Sequence, residues 1–359
     1  MAYVFNPGPA ALPKEALQQA QADLLNYQGL GYSILEASHR GAAFKPVIEG
    51  AEALLREHLG IPVDYAVLFL QGGASLQFCM VPMNLAAGKS CDYADTGSFA
   101  NKAYKEAKNL GPVKVAASSK EQKYAFIPDF KTWTCDPQAA YLHITSNNTI
   151  FGTQYASFPT PPAGVPLVAD MSSDILSRRF DISKFGLIYA GAQKNLGPSG
   201  VTVVIIRKDL LTRSPKTLPT MLNYNTHAAE GSLYNTPCTF GIYLMKLVLE
   251  WTKRQGGLAA IEKVNDQKAA ELYAAIDASG GYYRGPAQVG SRSRMNVCFN
   301  LAGEELEKKF VKQAEAKGLI GLKGHRSVGG IRASIYNAVP LQAVRDLIAF
   351  MAEFRKANG

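Results

Sequence analysis

The sequence predicts an α/β fold with a mostly parallel sheet, and the alternation of two kinds of segment carries that prediction. Short, strongly apolar runs are typical of buried strands, and between them lie longer stretches whose apolar residues recur at helical spacing. Strands that alternate with helices are typical of parallel sheets covered by helices. At 359 residues the chain also exceeds what one hydrophobic core usually serves, so a larger and a smaller domain are expected.

Helical periodicity is clearest in the segments 45–59, 258–276 and 341–354. In the second segment the apolar residues at helical spacing are Leu258, Ile261, Val264, Leu272 and Ile276. Buried strands are predicted at 66–70, 140–144, 165–169, 187–190, 203–206 and 296–300. Strands become fewer beyond residue 258, and the Gly256-Gly257 pair is the expected boundary between the two domains.

Composition and charge narrow the class of function. No apolar segment approaches the ~20 residues of a membrane helix, and the N-terminus lacks the basic and apolar stretches of a signal peptide. Five cysteines without a C-x-x-C pair indicate free thiols in a reducing cytoplasm, with neither a disulfide framework nor a zinc site. The net charge of +9 comes from scattered Lys and Arg, which favours an anionic metabolite over nucleic acid as the partner.

Two residues at predicted strand ends suggest a specific chemistry. Asp170 closes the run 165–169, and Lys194 follows the run 187–190. Ligands of parallel sheets bind at the carboxyl ends of strands, where these two side chains would lie side by side. Pyridoxal phosphate (PLP) enzymes need such a pair, because a lysine forms a Schiff base with the aldehyde while an acid keeps the ring nitrogen protonated. A helix-capping Asp and a solvated Lys would give the same pattern, so the pair alone leaves both interpretations open.

Two further features concern anion binding. Gly72-Gly73 follow the strand 66–70 and open a helical stretch, where backbone N–H groups can cradle a phosphate; a plain strand-to-helix turn is the alternative. Arginines bind anions with several charges through paired N–H donors. For each of the candidates named next, ordinary surface charge is the alternative explanation. The candidates are the pairs His39-Arg40 and His325-Arg326, together with Arg332.

In their order and spacing these motifs resemble the phosphoserine aminotransferases, a class V family of the type I (aspartate aminotransferase) PLP fold. The segments that carry the resemblance cover nearly the whole chain and are 5–10, 38–40, 69–75, 170–173, 189–200, 232–237 and 323–337. The resemblance implies a large PLP-binding domain, 16–257, whose mostly parallel seven-stranded sheet lies between helices. It implies a smaller α+β domain made of residues 1–15 and 258–359.

The resemblance also implies a reaction. L-Glutamate gives its amino group to the enzyme and leaves as 2-oxoglutarate, and 3-phosphohydroxypyruvate receives that group to become O-phospho-L-serine. The transfer is reversible and ping-pong and belongs to serine biosynthesis. Whether 4-phosphohydroxy-L-threonine, of vitamin B6 synthesis, is a second substrate is left open.

Residue roles follow from the resemblance position by position. Lys194 matches the Schiff-base lysine that moves the proton, and Asp170 matches the partner of the ring nitrogen. The other residues that match cofactor contacts are Ala74, Ser75, Phe99, Thr149 and Gln193, with Asn235 and Thr236 reaching the cofactor of the neighbouring subunit. A homodimer with shared sites is therefore implied.

The implied substrate contacts are all cationic or imidazole groups. Arg332 matches the residue that binds the α-carboxylate. His39 and Arg40, with His325 and Arg326 from the other subunit, match the group that binds the phosphate or the side-chain carboxylate of glutamate.

The sequence departs from the family pattern at two positions, and three other functions remain as alternatives. Phe99 stands where the family usually has a stacking Trp, and Pro7 precedes Gly8 where some members have a substrate-binding Ser. An alanine–glyoxylate-type aminotransferase or a cysteine desulfurase would share the fold but would not need two His-Arg pairs. A non-catalytic PLP-binding protein is disfavoured because both Lys194 and Asp170 are present.

Overall fold

A seven-stranded sheet forms the centre of the larger part of the molecule in the computed structural model, which describes residues 2–359. The strands in chain order are β1 Tyr3–Val4, β2 Tyr65–Leu70, β3 Cys91–Asp95, β4 Val113–Ser118, β5 Leu142–Thr145, β6 Asn147–Asn148, β7 Thr153–Gln154, β8 Leu167–Asp170, β9 Phe185–Gly191, β10 Thr202–Arg207, β11 Asn296–Phe299, β12 Leu319–Ile320 and β13 Ile331–Ser334. The six predicted strands therefore form, with ends shifted by at most two residues.

The order across the large sheet is β2-β10-β9-β8-β5-β3-β4. The four pairs from β9 to β4 are parallel, and β10 is antiparallel to both of its neighbours. The predicted mostly parallel, seven-stranded α/β sheet is thus confirmed. Because β5, β8 and β9 point the same way, their carboxyl ends lie at one edge of the sheet.

Helices cover this sheet and build the C-terminal part of the molecule. They are α1 Lys14–Asp23, α2 Lys45–Leu59, α3 Gly73–Leu85, α4 Ser98–Lys108, α5 Lys208–Leu211, α6 Tyr224–Ala229, α7 Thr239–Arg254, α8 Gly257–Asp277, α9 Glu304–Ala316 and α10 Leu341–Asn358. The three predicted helices correspond to α2, α8 and α10. The last of them runs four residues beyond its predicted end, where Arg355 and Lys356 complement the negative end of the helix dipole.

The apolar face of α8 differs in one respect from the predicted one. Val264 is 40% exposed, whereas Asn265 and Lys268 are buried on the side that packs inward. Helical spacing alone therefore assigns Val264 to the buried face of α8 incorrectly. The inward positions next to it are occupied by Asn265 and Lys268, whose polar side chains have hydrogen-bond partners inside the protein.

Both faces of the sheet are buried, as the near-continuous apolar strands require. Val203 and Ile205 of β10 belong to one hydrophobic cluster, and Val204 and Ile206 belong to a second cluster on the opposite face. A third cluster joins Phe5 to α8, α9, α10 and the antiparallel pair β11–β13.

Two negative predictions from composition can be compared with the structure. No helix within residues 2–359 combines the length and the apolar character needed to cross a membrane. The five cysteines are free; Cys91 and Cys298 are buried and the other three are partly exposed.

Candidate active site

The carboxyl-end edge of the sheet contains a cavity of about 280 Å³. Asp170 is the last residue of β8, and Lys194 lies three residues beyond the end of β9. The structure brings both side chains to this cavity, as the strand-end argument predicts. The residues named from the sequence that line it are Ala74, Ser75, Phe99, Thr149, Asp170, Gln193, Lys194, His325 and Arg332.

Asp170 is held by a local turn. Its Oδ1 accepts hydrogen bonds from the backbone N–H of Ser172 at 2.9 Å and from the Ser172 hydroxyl at 2.6 Å. The same hydroxyl accepts the N–H of Gly191 at 3.1 Å, which ties the ends of β8 and β9 together. Burial raises the pKa of Asp170, while these hydrogen bonds and the charge of Lys194 act in the opposite direction.

Lys194 is a half-buried amine whose positive charge is only weakly stabilised by its neighbours. Burial lowers the pKa of Lys194 to about 8, Asp170 opposes that change, and Arg332 adds to it. An amine with such a pKa is largely unprotonated at mildly alkaline pH. A nucleophile or a base for proton transfer must be in this neutral form.

The N-terminal segment closes the cavity behind Lys194. The N–H of Ala10 donates to the carbonyl of Gln193 at 2.9 Å, so residues 7–10 run alongside the lysine-bearing loop. A Cβ atom at Gly8 would lie 3.6 Å from Cε of Lys194, and Gly8 has a φ of +146°. The distance is an ordinary contact that a side chain would tolerate, so it is the backbone conformation that favours glycine here.

The start of α3 faces the same cavity. Gly72 and Gly73 have φ angles of +91° and +67°, and no side chain caps the helix. A Cβ atom at Gly72 would lie 2.5 Å from Cδ2 of Leu76. The first backbone N–H groups of α3, including those of Ala74 and Ser75, lack helical acceptors and form a site for an anion.

Phe99 covers one side of the cavity from the first turn of α4. Its ring centroid lies 5.7 Å from Nζ of Lys194 and 5.1 Å from Nζ of Lys102. The chain approaches closely just before it, because a Cβ atom at Gly97 would lie 2.1 Å from Oδ1 of Asn148. An aromatic face is thus available to a planar ligand beside Lys194, although it offers less area than an indole.

Arg332 supplies a buried positive charge from β13. Its Nη1 donates to the carbonyl of Thr149 at 3.1 Å, and its Nε is buried without a hydrogen-bond partner among residues 2–359. Burial lowers the pKa of Arg332, but an arginine keeps its proton in proteins. A carboxylate that entered the cavity would satisfy the free donor.

The two His-Arg pairs do not meet within one chain. His325 lines the cavity and bonds the Ser327 hydroxyl through Nδ1 at 2.7 Å; burial, followed by the charges of Arg332 and Arg326, lowers its pKa. Arg326 is exposed and does not line the cavity. His39 and Arg40 line a separate cleft of about 490 Å³.

Arg40 lies beside the segment that contains Asn235 and Thr236. Its Nη2 atom donates to the carbonyls of Leu233 and Tyr234 at 3.3 and 3.4 Å. Asn235 lines a cleft of about 160 Å³, and the carbonyl of Thr236 accepts the Gln71 amide at 3.1 Å. Neither Asn235 nor Thr236 lines the cavity that contains Lys194.

The sequence argument did not select Thr145, which also lines the cavity. Its Oγ1 is buried without a hydrogen-bond partner among the described residues, and it is paired with Asp170 across β5 and β8. The signal was available, because Thr145 follows the predicted strand 140–144 just as Asp170 follows its own strand.

Comparison with known proteins identifies the family. Residues 2–347 match the sequence model of the family described as aminotransferase class-V. The chain belongs to the class-V aminotransferases. Phosphoserine aminotransferase of Geobacillus kaustophilus (strain HTA426) is 59% identical over 356 residues, which cover 99% of this chain and 98% of that protein.

Two solved structures are similar to this class-V aminotransferase over almost its entire length. Phosphoserine aminotransferase from Bacillus circulans subsp. alkalophilus gives a TM-score of 0.98 at 56% identity, with 100% and 99% of the two chains covered. PLP-bound phosphoserine aminotransferase from Trichomonas vaginalis gives 0.93 at 38% identity, with 98% and 100% covered. The predicted family and the type I fold are confirmed, and the chain is a PLP-dependent transaminase.

The residues of the cavity fit PLP. The start of α3 offers N–H donors for a phosphate, and Phe99 offers a face for a ring. Oδ2 of Asp170 accepts no hydrogen bond from residues 2–359, so it is free for a protonated ring nitrogen, and Thr145 adds an unsatisfied hydroxyl next to it. Lys194 supplies the amine that the aldehyde requires.

Proposed function

We propose that this chain catalyses the reversible, ping-pong transfer of an amino group between L-glutamate and 3-phosphohydroxypyruvate, with O-phospho-L-serine and 2-oxoglutarate as products. The observation that carries the proposal is the single cavity that combines Lys194, Asp170, the start of α3 and Arg332. The full-length likeness to phosphoserine aminotransferases selects this reaction among those of the fold. It disfavours the alanine–glyoxylate and desulfurase alternatives.

The chemistry divides between cofactor and protein. When bound, PLP supplies an aldehyde and a protonated ring that accepts electrons from the substrate Cα. Lys194 removes the proton from Cα of the substrate and returns it, and its lowered pKa suits both directions. Asp170 would stabilise the protonated form of the ring nitrogen. Arg332 would orient the substrate by binding its α-carboxylate.

The remaining cavity residues hold the cofactor in this proposal. Backbone donors of Ala74 and Ser75 and the side chain of Gln193 would bind its phosphate, Phe99 would offer a face to its ring, and Thr149 would contribute near its hydroxyl. The position of all five around one cavity supports this assignment.

We further propose that the distal anion of each substrate is bound between two subunits of a homodimer. The resemblance assigned His325 and Arg326 to the other subunit, but His325 lines the cavity of Lys194 in its own chain. We therefore assign His325 and Arg326 to the chain that contributes Lys194, and His39 and Arg40, together with Asn235 and Thr236, to the other chain. The hydrogen bonds of Arg40 to the 233–234 carbonyls support this arrangement, because they keep the two segments side by side. Neither segment lines the cavity that contains Lys194 of its own chain.

The domain limits and the location also remain proposals. Residues 16–257 are assigned to the large domain, and residues 1–15 and 258–359 to the small one. The hydrophobic cluster that links Phe5 to α8, α9 and α10 supports this division, as do the left-handed Gly256 and Gly257 between α7 and α8. A cytoplasmic location fits the free cysteines and bacterial relatives.

A coupled assay of the purified holoenzyme tests the function. With 2-oxoglutarate as acceptor, O-phospho-L-serine is expected to exceed L-alanine as donor on the order of a hundredfold in kcat/KM, because alanine leaves the distal cationic group without its anion. Lys194→Ala should abolish both activities. Equal rates with the two donors would refute the substrate assignment.

A further inference from the structure

Lys268 on α8 is a fully buried lysine that the reaction described above does not use. Its exposed fraction is 0%, and Nζ donates to the carbonyls of Ile335, Tyr336 and Val339 at 2.9, 2.8 and 3.0 Å. Among residues 2–359 it has no carboxylate partner within salt-bridge distance. Lysines are almost never fully buried without a pair, so these three carbonyls must account for its position.

The bonding favours the ammonium form of Lys268. Burial lowers the pKa of its amine to about 7. Three carbonyl acceptors oppose that change, because only the protonated group has three N–H donors to match them. The residue thus binds the backbone of 335–339 through a set of directed hydrogen bonds rather than through an apolar contact.

The turn 335–339 continues directly from the strand that carries Arg332. Only two residues separate Arg332 from Ile335, whose N–H donates to the carbonyl of Met295 at 2.8 Å. The N–H of Val339 donates to the carbonyl of Tyr336 at 2.9 Å, which closes the turn. By binding three carbonyls of this turn, Lys268 fixes the end of the strand next to Arg332.

The same turn contacts the loop that carries Lys194. The N–H of Asn337 donates to Oδ1 of Asn195 at 3.0 Å, and Asn195 is the residue after Lys194. The side chain of Asn337 donates to the carbonyl of Leu176 at 2.9 Å and accepts from Asn265, three residues before Lys268 on α8. Helix α8, the turn and the lysine loop therefore form one hydrogen-bonded chain of contacts.

A second branch reaches the cavity through Tyr336. Its hydroxyl donates to the carbonyl of Pro7 at 2.9 Å and accepts from Asn296 at 3.1 Å. Pro7 and Gly8 line the cavity, and Gly8 lies against Lys194. Displacement of the turn would thus be transmitted to both sides of Lys194.

We infer that Lys268 is a positioning residue for transamination: it fixes the turn 335–339, which sets the spacing between Arg332 and Lys194. It touches neither substrate nor cofactor. The inference rests on the roles proposed above for those two residues. Its consequence is kinetic, because a small error in the position of a reacting group lowers the rate far more than it changes the fold.

The first test measures the position of the turn without any catalysis. Lys268→Met keeps the length of the side chain and removes all three donors, Lys268→Gln retains two, and Lys263→Met changes an exposed lysine of the same helix. In the cofactor-free protein, hydrogen exchange at residues 331–339 is expected to be fastest for Lys268→Met and intermediate for Lys268→Gln. The Lys263→Met variant should match the wild type.

The second test is the kinetics of the holoenzyme variants. For Lys268→Met, kcat/KM is expected to fall on the order of tenfold for both L-glutamate and O-phospho-L-serine by the same factor, because both present an α-carboxylate to Arg332. Lys268→Gln should recover part of the loss. If Lys268→Met does not fold, the Gln variant carries both comparisons.

The outcomes separate this inference from the proposed function. Unchanged exchange in the turn, wild-type kinetics despite a lower melting temperature, or a loss confined to phosphoserine would each overturn the positioning role. A wild-type enzyme without activity on phosphoserine would instead refute the proposed substrate, and the exchange measurement would still decide whether Lys268 holds the turn.

Discussion

Burial is the largest cause of the pKa shift at each of the three charged residues that meet in the cavity, Asp170, Lys194 and Arg332. It raises the pKa of the acid and lowers the pKa of both bases, so it favours the neutral form in every case. The mutual attraction of Asp170 and Lys194 partly restores their charges. Charged groups of a bound ligand can therefore replace the interactions that these residues now make with one another.

The reactivity of the Lys194 amine should depend on pH. In the cofactor-free protein its acylation rate should rise with pH and level off above a midpoint of about 8, because only the neutral amine reacts. Asp170→Asn removes the charge that stabilises the ammonium, so the midpoint should move to lower pH. Peptide mass spectrometry over a pH series measures both, and a midpoint at the value of a free lysine would contradict the burial argument.

At the scale of secondary-structure elements, the site depends on where the strands end and where helix α3 begins. Parallel β5 and β8 place Thr145 beside Asp170, and the two left-handed glycines allow α3 to begin beside them. Residues with a Cβ adopt this backbone conformation at a cost of about 1–3 kcal/mol. The start of α3 is thus specified by the glycines as much as by the helix that follows.

Gly72→Ala tests the start of α3. The added Cβ would lie 2.5 Å from Leu76, so the first turn must move and the apparent Kd for PLP should rise tenfold or more, an increase of about 1.4 kcal/mol in binding free energy. Gly60→Ala is the matched control, since Gly60 has a φ of +63° with no atom within 4 Å of its Cβ position. It should lose stability but keep its PLP affinity in a titration of the cofactor-free protein.

At the scale of the whole molecule, the anion-binding groups are divided between two places on one chain. Arg332 and His325 line the cavity with Lys194, whereas Arg40 lies in another cleft beside the 233–236 segment. A homodimer with two-fold symmetry would bring each set to the other chain, because every contact in such an interface occurs twice.

Mixed dimers test this arrangement. Lys194→Ala and Arg40→Ala chains, each nearly inactive alone, should recover about a quarter of wild-type activity when unfolded together and refolded, because half of the dimers then contain one intact site. Lys194→Ala mixed with Asp170→Asn is the control; both lesions affect groups of the same chain, so no site is intact. Absence of recovery in the first mixture would place Arg40 outside the shared site.

Much of the site could be predicted from the sequence because its signals are local. Strand ends identified Asp170 and Lys194, paired glycines identified the start of α3, and the order of the motifs identified the family. Thr145 was missed although its position is equivalent to that of Asp170, since a threonine after a strand has no distinctive chemistry until its hydroxyl is seen to be buried and unsatisfied.

The sequence by itself determined the α/β class, the cofactor chemistry and the family, because apolar periodicity and each motif are formed by residues close together in the chain, and the order of the motifs can be read directly along it. Only the tertiary structure separated His39-Arg40 from His325, and only it showed that Lys268 is a buried ligand of backbone carbonyls. A lysine on a helix looks alike whether it faces water or a turn 67 residues away. Contacts between segments far apart in the chain decide which environment the lysine has, and a local sequence pattern does not contain that information.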